Sequence, residues 1–234
     1  MKRGTLDALL DARRAGSPCA LVRDLKGGAE ALVFVGGVAG DLALTPALKD
    51  TVLKSIAEDK SGRLDEPNER IFVQVFNPPA RLIVIGAVHI AQALAPMAAL
   101  AGYGVTVIDP RRAFATDRRF PGVTLVQEWP DDGLEGLKPD RRTAVVTLTH
   151  DPKLDDAALS VALRRECFYL GSLGSKKTHA ARLNRLRRMG FSDAELARIH
   201  GPVGLGIGAL TPAEIALAIM AQITQVRRQK ANGA

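Results

Sequence analysis

The chain has 234 residues, 47% hydrophobic and 24% charged, with a formal net charge of +7. These are the proportions of a globular protein, and the length suits one large domain or two small ones. No uninterrupted apolar span is long enough to cross a membrane, and Asp7 and Asp11 interrupt the stretch after Lys2 and Arg3 where a secretory signal would lie. The two cysteines, Cys19 and Cys167, are far apart and lack C-x-x-C spacing, so no metal site or disulfide framework is indicated and a cytoplasmic location is expected.

In chain order, Thr5 to Ala15 has Leu6, Leu9 and Leu10 at helical spacing. Cys19 to Val22 and Ala31 to Val35 read as strands around the turn Lys26-Gly27-Gly28. Pro46 to Ala57 reads as a helix, the polar stretch Glu58 to Arg70 as a connection, and Ile71 to Phe76 as a strand. Asn77-Pro78-Pro79 breaks regular structure, which places a small N-terminal α/β domain at 1–79 and a second domain at 80–234.

The second domain alternates strands and helices. Arg81 to Ile85, Gly104 to Ile108, Val123 to Val126, Thr143 to Leu148 and Cys167 to Leu170 are the strands. His89 to Ala101, with Pro96 as a first-turn residue or kink, and Leu154 to Arg165 are helices between them. A further helix runs from the glycine turn to Met189. The last helix starts at Thr211-Pro212-Ala213-Glu214, an N-cap with proline first and glutamate third. This is an α/β, Rossmann-like parallel sheet with helices on both faces, and its ligands gather at the carboxyl ends of the strands. Gly86, Asp109, His150 and Gly171 fall along that edge.

The segment Gly171-Ser172-Leu173-Gly174-Ser175-Lys176-Lys177-Thr178 joins a strand to a helix start carrying two lysines. Unpaired N–H groups at a helix N-terminus attract anions, glycines allow close approach, and Lys176 and Lys177 add full charge. It is not a Walker A loop, because only two residues separate the glycines. The same residues also suit a plain strand–turn–helix connection with solvated lysines. Between Arg164 and Arg198, nine lysines and arginines face three acids, so most of the positive excess lies there. Such a patch suits an acidic protein or a phosphorylated ligand better than nucleic acid, since aromatic stacking residues are few. On a helix from Ser175, Leu183 and Leu186 face the core while Arg182, Arg185 and Arg188 project along exposed stripes, as a partner face or simply a solvated one.

Gly86-Ala87-Val88-His89 sits where a dinucleotide fingerprint would, and Asp109 ends the next strand. Val88, however, replaces the glycine that lets a pyrophosphate approach, so NAD(P) binding is not expected even though Gly86 and Asp109 form an alternative dinucleotide site. His89, His150, His179 and His200 lack the spacing of a helical metal site; His89 and His150 lie at the ligand edge. Gly201 to Gly208 reads either as a tight passage between helices or as a loop closing the pocket before Thr211. No G-x-S-x-G elbow occurs, and Cys167 lies in an apolar strand where a thiol is inert.

Four ordered pieces carry a family resemblance: Thr149-His150-Asp151-Pro152-Lys153-Leu154-Asp155-Asp156, Tyr169-Leu170-Gly171-Ser172-Leu173-Gly174-Ser175, Arg198-Ile199-His200-Gly201-Pro202-Val203-Gly204-Leu205, and Ile207-Gly208-Ala209-Leu210-Thr211-Pro212-Ala213-Glu214-Ile215-Ala216. With the start at Leu82 to Asp109, they resemble the C-terminal domain of the XdhC/CoxI family, accessory factors of xanthine dehydrogenase and carbon monoxide dehydrogenase. The chain departs from that family at Val88, where a glycine is usual, and at Gly36-Gly37-Val38-Ala39-Gly40, which holds no cysteine.

The resemblance implies a maturation factor rather than an enzyme, with the molybdenum cofactor, a molybdopterin bearing a phosphate, as bound cargo. Its implied partners are an apo molybdenum hydroxylase, a sulfur-donating desulfurase and a second copy of the chain, with no nucleic acid and no membrane. Gly171, Ser172, Gly174, Ser175, Lys176 and Lys177 would hold the phosphate, and His150, His89 and Thr211 would surround the pterin. An NAD(P)-dependent oxidoreductase and a protein-interaction chaperone binding no small molecule are the alternatives.

Overall fold

The computed structural model describes residues 1–232, with side chains through residue 229. Two compact units emerge: Met1–Pro78, with which residues 228–232 are grouped, and Pro79–Arg227.

The first unit contains α1 (Arg3–Arg14), β1 (Cys19–Asp24), β2 (Glu30–Phe34), β3 (Gly37–Gly40), α2 (Pro46–Ala57), β4 (Gly62–Arg63) and β5 (Ile71–Phe76). Its antiparallel sheet has the order β3-β2-β1-β5-β4. The central strand is apolar because both of its faces are covered. Ala20 and Val22 pack with Leu48, Val52 and Ile56 of α2, whereas Cys19 and Leu21 pack with Leu9 of α1. Between β1 and β2, the Asp24 carboxylate accepts from the N–H groups of Lys26 and Gly27, which shapes the turn. Strands β3 and β4 are additions to the expected elements. Both are short edge strands without an apolar period. In β3, Gly40 has φ +142°, and a Cβ there would collide with the carbonyl oxygen of Glu30. The first helix begins at Arg3 rather than Thr5.

The second unit contains β6 (Arg81–Ile85), α3 (His89–Leu100), β7 (Gly104–Ile108), β8 (Thr124–Val126), α4 (Pro130–Leu137), β9 (Thr143–Thr147), α5 (Pro152–Leu163), β10 (Tyr169–Ser172), α6 (Lys176–Arg188), α7 (Asp193–Leu196), β11 (Ile199–His200) and α8 (Pro212–Asn232). Six parallel strands take the order β11-β10-β9-β6-β7-β8. The chain winds outward from β6 through β7 and β8, returns to β9 beside β6, and winds outward the other way. The reversal between β6 and β9 is the switch point at which such sheets bind ligands.

Strand residues alternate between two core layers. Leu82 and Val84 pack with Ala91 and Leu94 of α3 and Ala216 and Ile219 of α8. Ile83 and Ile85 pack with Leu159 and Ala162 of α5 and Leu186 of α6. Each fully buried aliphatic side chain of this kind contributes about 1.5–3 kcal/mol. Among the described residues, no helix is long and apolar enough to cross a membrane.

Two expectations are corrected in this unit and a third is narrowed. The fifth strand runs Tyr169–Ser172, not Cys167 to Leu170. Gly171 pairs with Val146 on one side and His200 on the other, so Gly171 and Ser172 are sheet residues and not part of a turn. Of the two readings of Pro96, first-turn residue or kink, its place well inside α3 removes the first. Helices α4 and α7 and strand β11 are additions to the expected elements; all are short, and α4 carries two glycines.

Candidate functional site

Six loops leave the carboxyl edge of the parallel sheet, beginning at Gly86, Asp109, Gln127, Leu148, Leu173 and Gly201. At the switch point, Gly86 adopts φ +105°, and a Cβ on it would stand 2.6 Å from Cγ2 of Thr149. The glycine is therefore needed for two loops to meet. Val88 is the N-cap of α3 and offers no side-chain hydrogen bond, and half-buried Val88 packs against the core.

Asp109 is fully buried, and its carboxylate is already occupied. It accepts from the N–H of Ala87 at 2.8 Å, from the N–H and Nε of Arg111 at 2.9 Å each, and from Nη2 of Arg111 at 2.7 Å. Burial pushes this carboxyl up, but the Arg111 side chain and the two N–H groups outweigh it and hold it below the ordinary value. The Arg111 guanidinium also lies 4.7 Å from the Phe114 ring centroid. A ribose hydroxyl at the alternative dinucleotide pair Gly86 and Asp109 would have to displace these bonds, which also join the first two loops through the N–H of Ala87.

A buried network ties the next loops together. Oδ1 of Asp155 accepts from Thr149 Oγ1 at 2.7 Å and from its N–H at 3.3 Å. Its Oδ2 lies 3.7 Å from Nη2 of Arg182, which donates to the carbonyl of Leu173 at 2.8 Å. Arg182 is 2% exposed. Burial pushes the Asp155 carboxyl up, opposed by Thr149 and Arg182. Both charges stand at core-facing positions: Asp155 one turn before Leu159 on α5, and Arg182 one turn before Leu186 on α6. Opposite charges on the apolar stripes of two helices are the sequence signal that could have found this pair.

His150, beside Thr149, has φ +62°, an uncommon conformation for a residue with a side chain, and it is exposed at the edge. His89 is the first residue of α3 and is exposed as well.

The five helix starts at this edge differ in charge, and α4 carries Asp131 and Asp132 in its first turn. α5 is capped by the Asp151 carboxylate and carries Asp155 in its first turn. At α8, the Glu214 carboxylate accepts from the N–H groups of Leu210 and Thr211, at 2.8 and 2.9 Å, and so fills that terminus beside the exposed Thr211. The first turns of α3 and α6 hold no acid. At α6, Ser175 caps the N–H of Thr178 at 3.1 Å, and Lys176 and Lys177 are exposed in the first turn. Gly174, at φ +139°, precedes the cap. Of the residues expected to line a phosphate site, the structure thus gathers Gly174, Ser175, Lys176 and Lys177.

Gly171 and Ser172 lie beneath it. Gly171 is a packing glycine: a Cβ would stand 2.6 Å from Val203 and 2.8 Å from the Tyr169 ring. The Ser172 hydroxyl bonds that of Thr147 at 2.5 Å inside the sheet.

The last loop is held by aromatic and polar contacts. The His200 ring stacks on Tyr169 at 4.8 Å between centroids, and the Tyr169 hydroxyl donates to Oε1 of Gln222, which also accepts from the N–H of Gly204 at 2.8 Å. His179 faces Gly201 so closely that a Cβ there would collide with Nδ1 of the imidazole. Burial, and then Arg182, push His179 below its ordinary pKa, which favours neutral imidazole.

The expected exposed stripe of Arg182, Arg185 and Arg188 is corrected. Arg182 is buried, and Arg185 is bidentate on Asp156 through Nε and Nη2, while Arg188 is exposed. The second carboxylate on α5 captures what would otherwise be a free cation. Both cysteines are buried. Burial raises the Cys19 thiol and pushes Cys167 up to about 11, so neither is a thiolate at neutral pH. Among the described residues, no group of three His, Cys, Asp or Glu side chains is placed to hold a metal.

Comparison with known proteins bears on this geometry. A family model described as the XdhC Rossmann domain matches residues 82–223. A Bacillus subtilis protein described as a probable xanthine dehydrogenase subunit is 33% identical over 162 residues, covering 69% of this chain and 47% of that protein. The molybdenum cofactor insertion chaperone PaoD of Escherichia coli is 34% identical over 152 residues, covering 65% of this chain and 42% of PaoD. The chain thus spans less than half the length of these curated relatives. The crystal structure of a protein described as a xanthine dehydrogenase from Bacillus halodurans superposes with a TM-score of 0.77 at 25% identity, covering 97% of this chain and 68% of that one.

Proposed function

The chain belongs to the XdhC family, and from that premise we propose that it is a maturation factor that binds the molybdenum cofactor by its phosphate and hands it to an apo molybdenum hydroxylase. The observation that carries this reading is the open start of α6 at the sheet edge. It has a serine cap, two lysines and no acid in its first turn, while the neighbouring helix starts α5 and α8 are filled by carboxylates. A phosphate monoester is held there by the N–H groups of Gly174 to Lys177 and by the charges of Lys176 and Lys177. His89, His150 and Thr211, all exposed around the same edge, contact the pterin. A relative described as a molybdenum cofactor insertion chaperone supports the cargo, and the relative described as part of a xanthine dehydrogenase supports the client.

The buried state of both thiols supports a division of labour in which a desulfurase, not this chain, supplies the sulfur of the mature cofactor. A second copy of the chain and the exposed Arg188 are further parts of the proposed docking. Against the oxidoreductase reading stand Val88 at the close-approach position and the occupied carboxylate of Asp109.

The test is anaerobic incubation of the purified chain with molybdenum cofactor, followed by gel filtration and fluorescence of the oxidised pterin. Co-elution, and reconstitution of an apo hydroxylase by that fraction, support the proposal. Protein that elutes free of pterin yet still activates a hydroxylase would favour the chaperone that binds no small molecule.

A further inference from the structure

The Arg182 guanidinium donates from Nη2 to the carbonyl of Leu173 at 2.8 Å, while its Nε and Nη1 are buried without a hydrogen-bond partner. A buried guanidinium costs stability unless its geometry serves something else. Its companion Asp155 is equally incomplete, since Oδ2 accepts no hydrogen bond and stands 3.7 Å from Nη2. The pair is therefore a poor stabiliser by itself. What it does fix is the direction of one peptide group.

The Leu173–Gly174 peptide is trans, so its C=O and N–H point in opposite directions. With the carbonyl drawn to the buried Arg182, the N–H of Gly174 points the opposite way. That N–H and the N–H of Ser175 meet no acceptor among the described residues. Gly174 has φ +139° and lacks a Cβ, so no side chain of its own fixes the orientation of this peptide. Rotated, it would present a carbonyl oxygen to the same place and repel an anion. Asp155 pairs electrostatically with the same Nη2 of Arg182 at 3.7 Å, and through Thr149 it joins this loop to the one carrying His150.

We infer that Arg182, braced by Asp155, is a positioning residue for a phosphate group at the start of α6, acting by holding the Leu173–Gly174 peptide with its N–H facing the ligand. The inference rests on the reading of that helix start as the phosphate site, and it assigns the orienting role to a buried arginine that touches no ligand. Lys176 and Lys177 supply charge; Arg182 supplies geometry.

The probe is inorganic phosphate, titrated into the full 15N-labelled chain and followed at the amides of Gly174, Ser175 and Lys176. The native chain is expected to show a saturable downfield shift at Gly174. Arg182→Met is expected to weaken phosphate binding at least 10-fold in the folded protein and to abolish the Gly174 shift. Arg182→Lys, which retains a cationic donor at this position, should recover part of both. Leu186→Ala, on the same helix but facing the core, lowers the Tm without moving the Kd and so separates positioning from general loosening. If Arg182→Met does not fold, Arg182→Lys and Asp155→Asn are judged by the same two readouts. Unchanged affinity with an intact Gly174 shift in the folded Arg182 or Asp155 variants would overturn the inference alone. A native chain whose three amides ignore phosphate would overturn both this inference and the phosphate site beneath it.

Discussion

Gly86 and Thr149 meet at the reversal point of the parallel sheet so closely that a Cβ on the glycine would lie 2.6 Å from the threonine methyl. Gly86 also sits at φ +105°. Gly86→Ala therefore introduces both a collision and backbone strain and is expected to cost about 1–3 kcal/mol. Adding Thr149→Ser, which removes the methyl but keeps the hydroxyl on Asp155, should return the collision part only. Urea unfolding of the two single variants and the double variant checks this. Strictly additive losses would show that the two loops are independent.

The second close pair is Gly201 and His179, where a Cβ would collide with Nδ1. Gly201→Ala should shift the His200–Gly204 loop and lower the Tm, and His179→Ala should partly restore it. The expected coupling is about 1–2 kcal/mol. Equal Tm values for Gly201→Ala with and without His179→Ala would contradict the contact.

Asp109 carries a prediction about acid. Its folded carboxyl lies below the ordinary value of 3.8, so it binds fewer protons folded than unfolded in that window. The stability it contributes is fully present well above pH 3.8 and is lost as the pH falls from there through its folded value. Asp109→Asn should therefore be less stable than the native chain at pH 7, with the difference shrinking below about pH 4. Denaturant unfolding from pH 7 to pH 2.5 measures it; a difference independent of pH would mean that the charge is not what matters.

Lys176 and Lys177 are exposed, so replacing both with alanine should change stability by no more than about 0.5 kcal/mol. Retention of molybdenum cofactor should nonetheless fall, by about 10-fold, if each lysine contributes a few tenths to 1 kcal/mol toward a phosphate at a helix start. Pterin content and Tm measured on the same preparation separate the two effects. Unchanged retention in the folded double variant would remove the lysines from the site.

The parallel sheet was legible because its central strands are buried on both faces and so read as apolar runs, as at residues 82–85 and 144–146. The start of α8 was legible because Thr211 and Glu214 cap each other through local bonds. What stayed hidden depended on contacts distant in sequence. Gly171 looked like a turn glycine, yet its small size answers to Tyr169 and Val203. Arg182 and Arg185 looked like surface charge, but Asp155 and Asp156 on α5 draw one into the interior and pin the other. The edge strands β3, β4 and β11 are too short to show a period, and only pairing defines them. Within the site, the residues of the α6 start could be named in advance, whereas the network below them went unread, although Asp155 and Arg182 on the apolar stripes of α5 and α6 were its signal.

The most direct measurement of the central claim is the pterin content of the purified chain. The protein is isolated anaerobically from cells with and without molybdopterin supply, denatured, and the oxidised pterin read by fluorescence. The account predicts pterin approaching one equivalent per chain when supply is intact, none when it is absent, and a sharp drop in the Lys176→Ala/Lys177→Ala variant. Protein that carries no pterin above the unsupplied control, although folded and fully exposed to the cofactor, would contradict it.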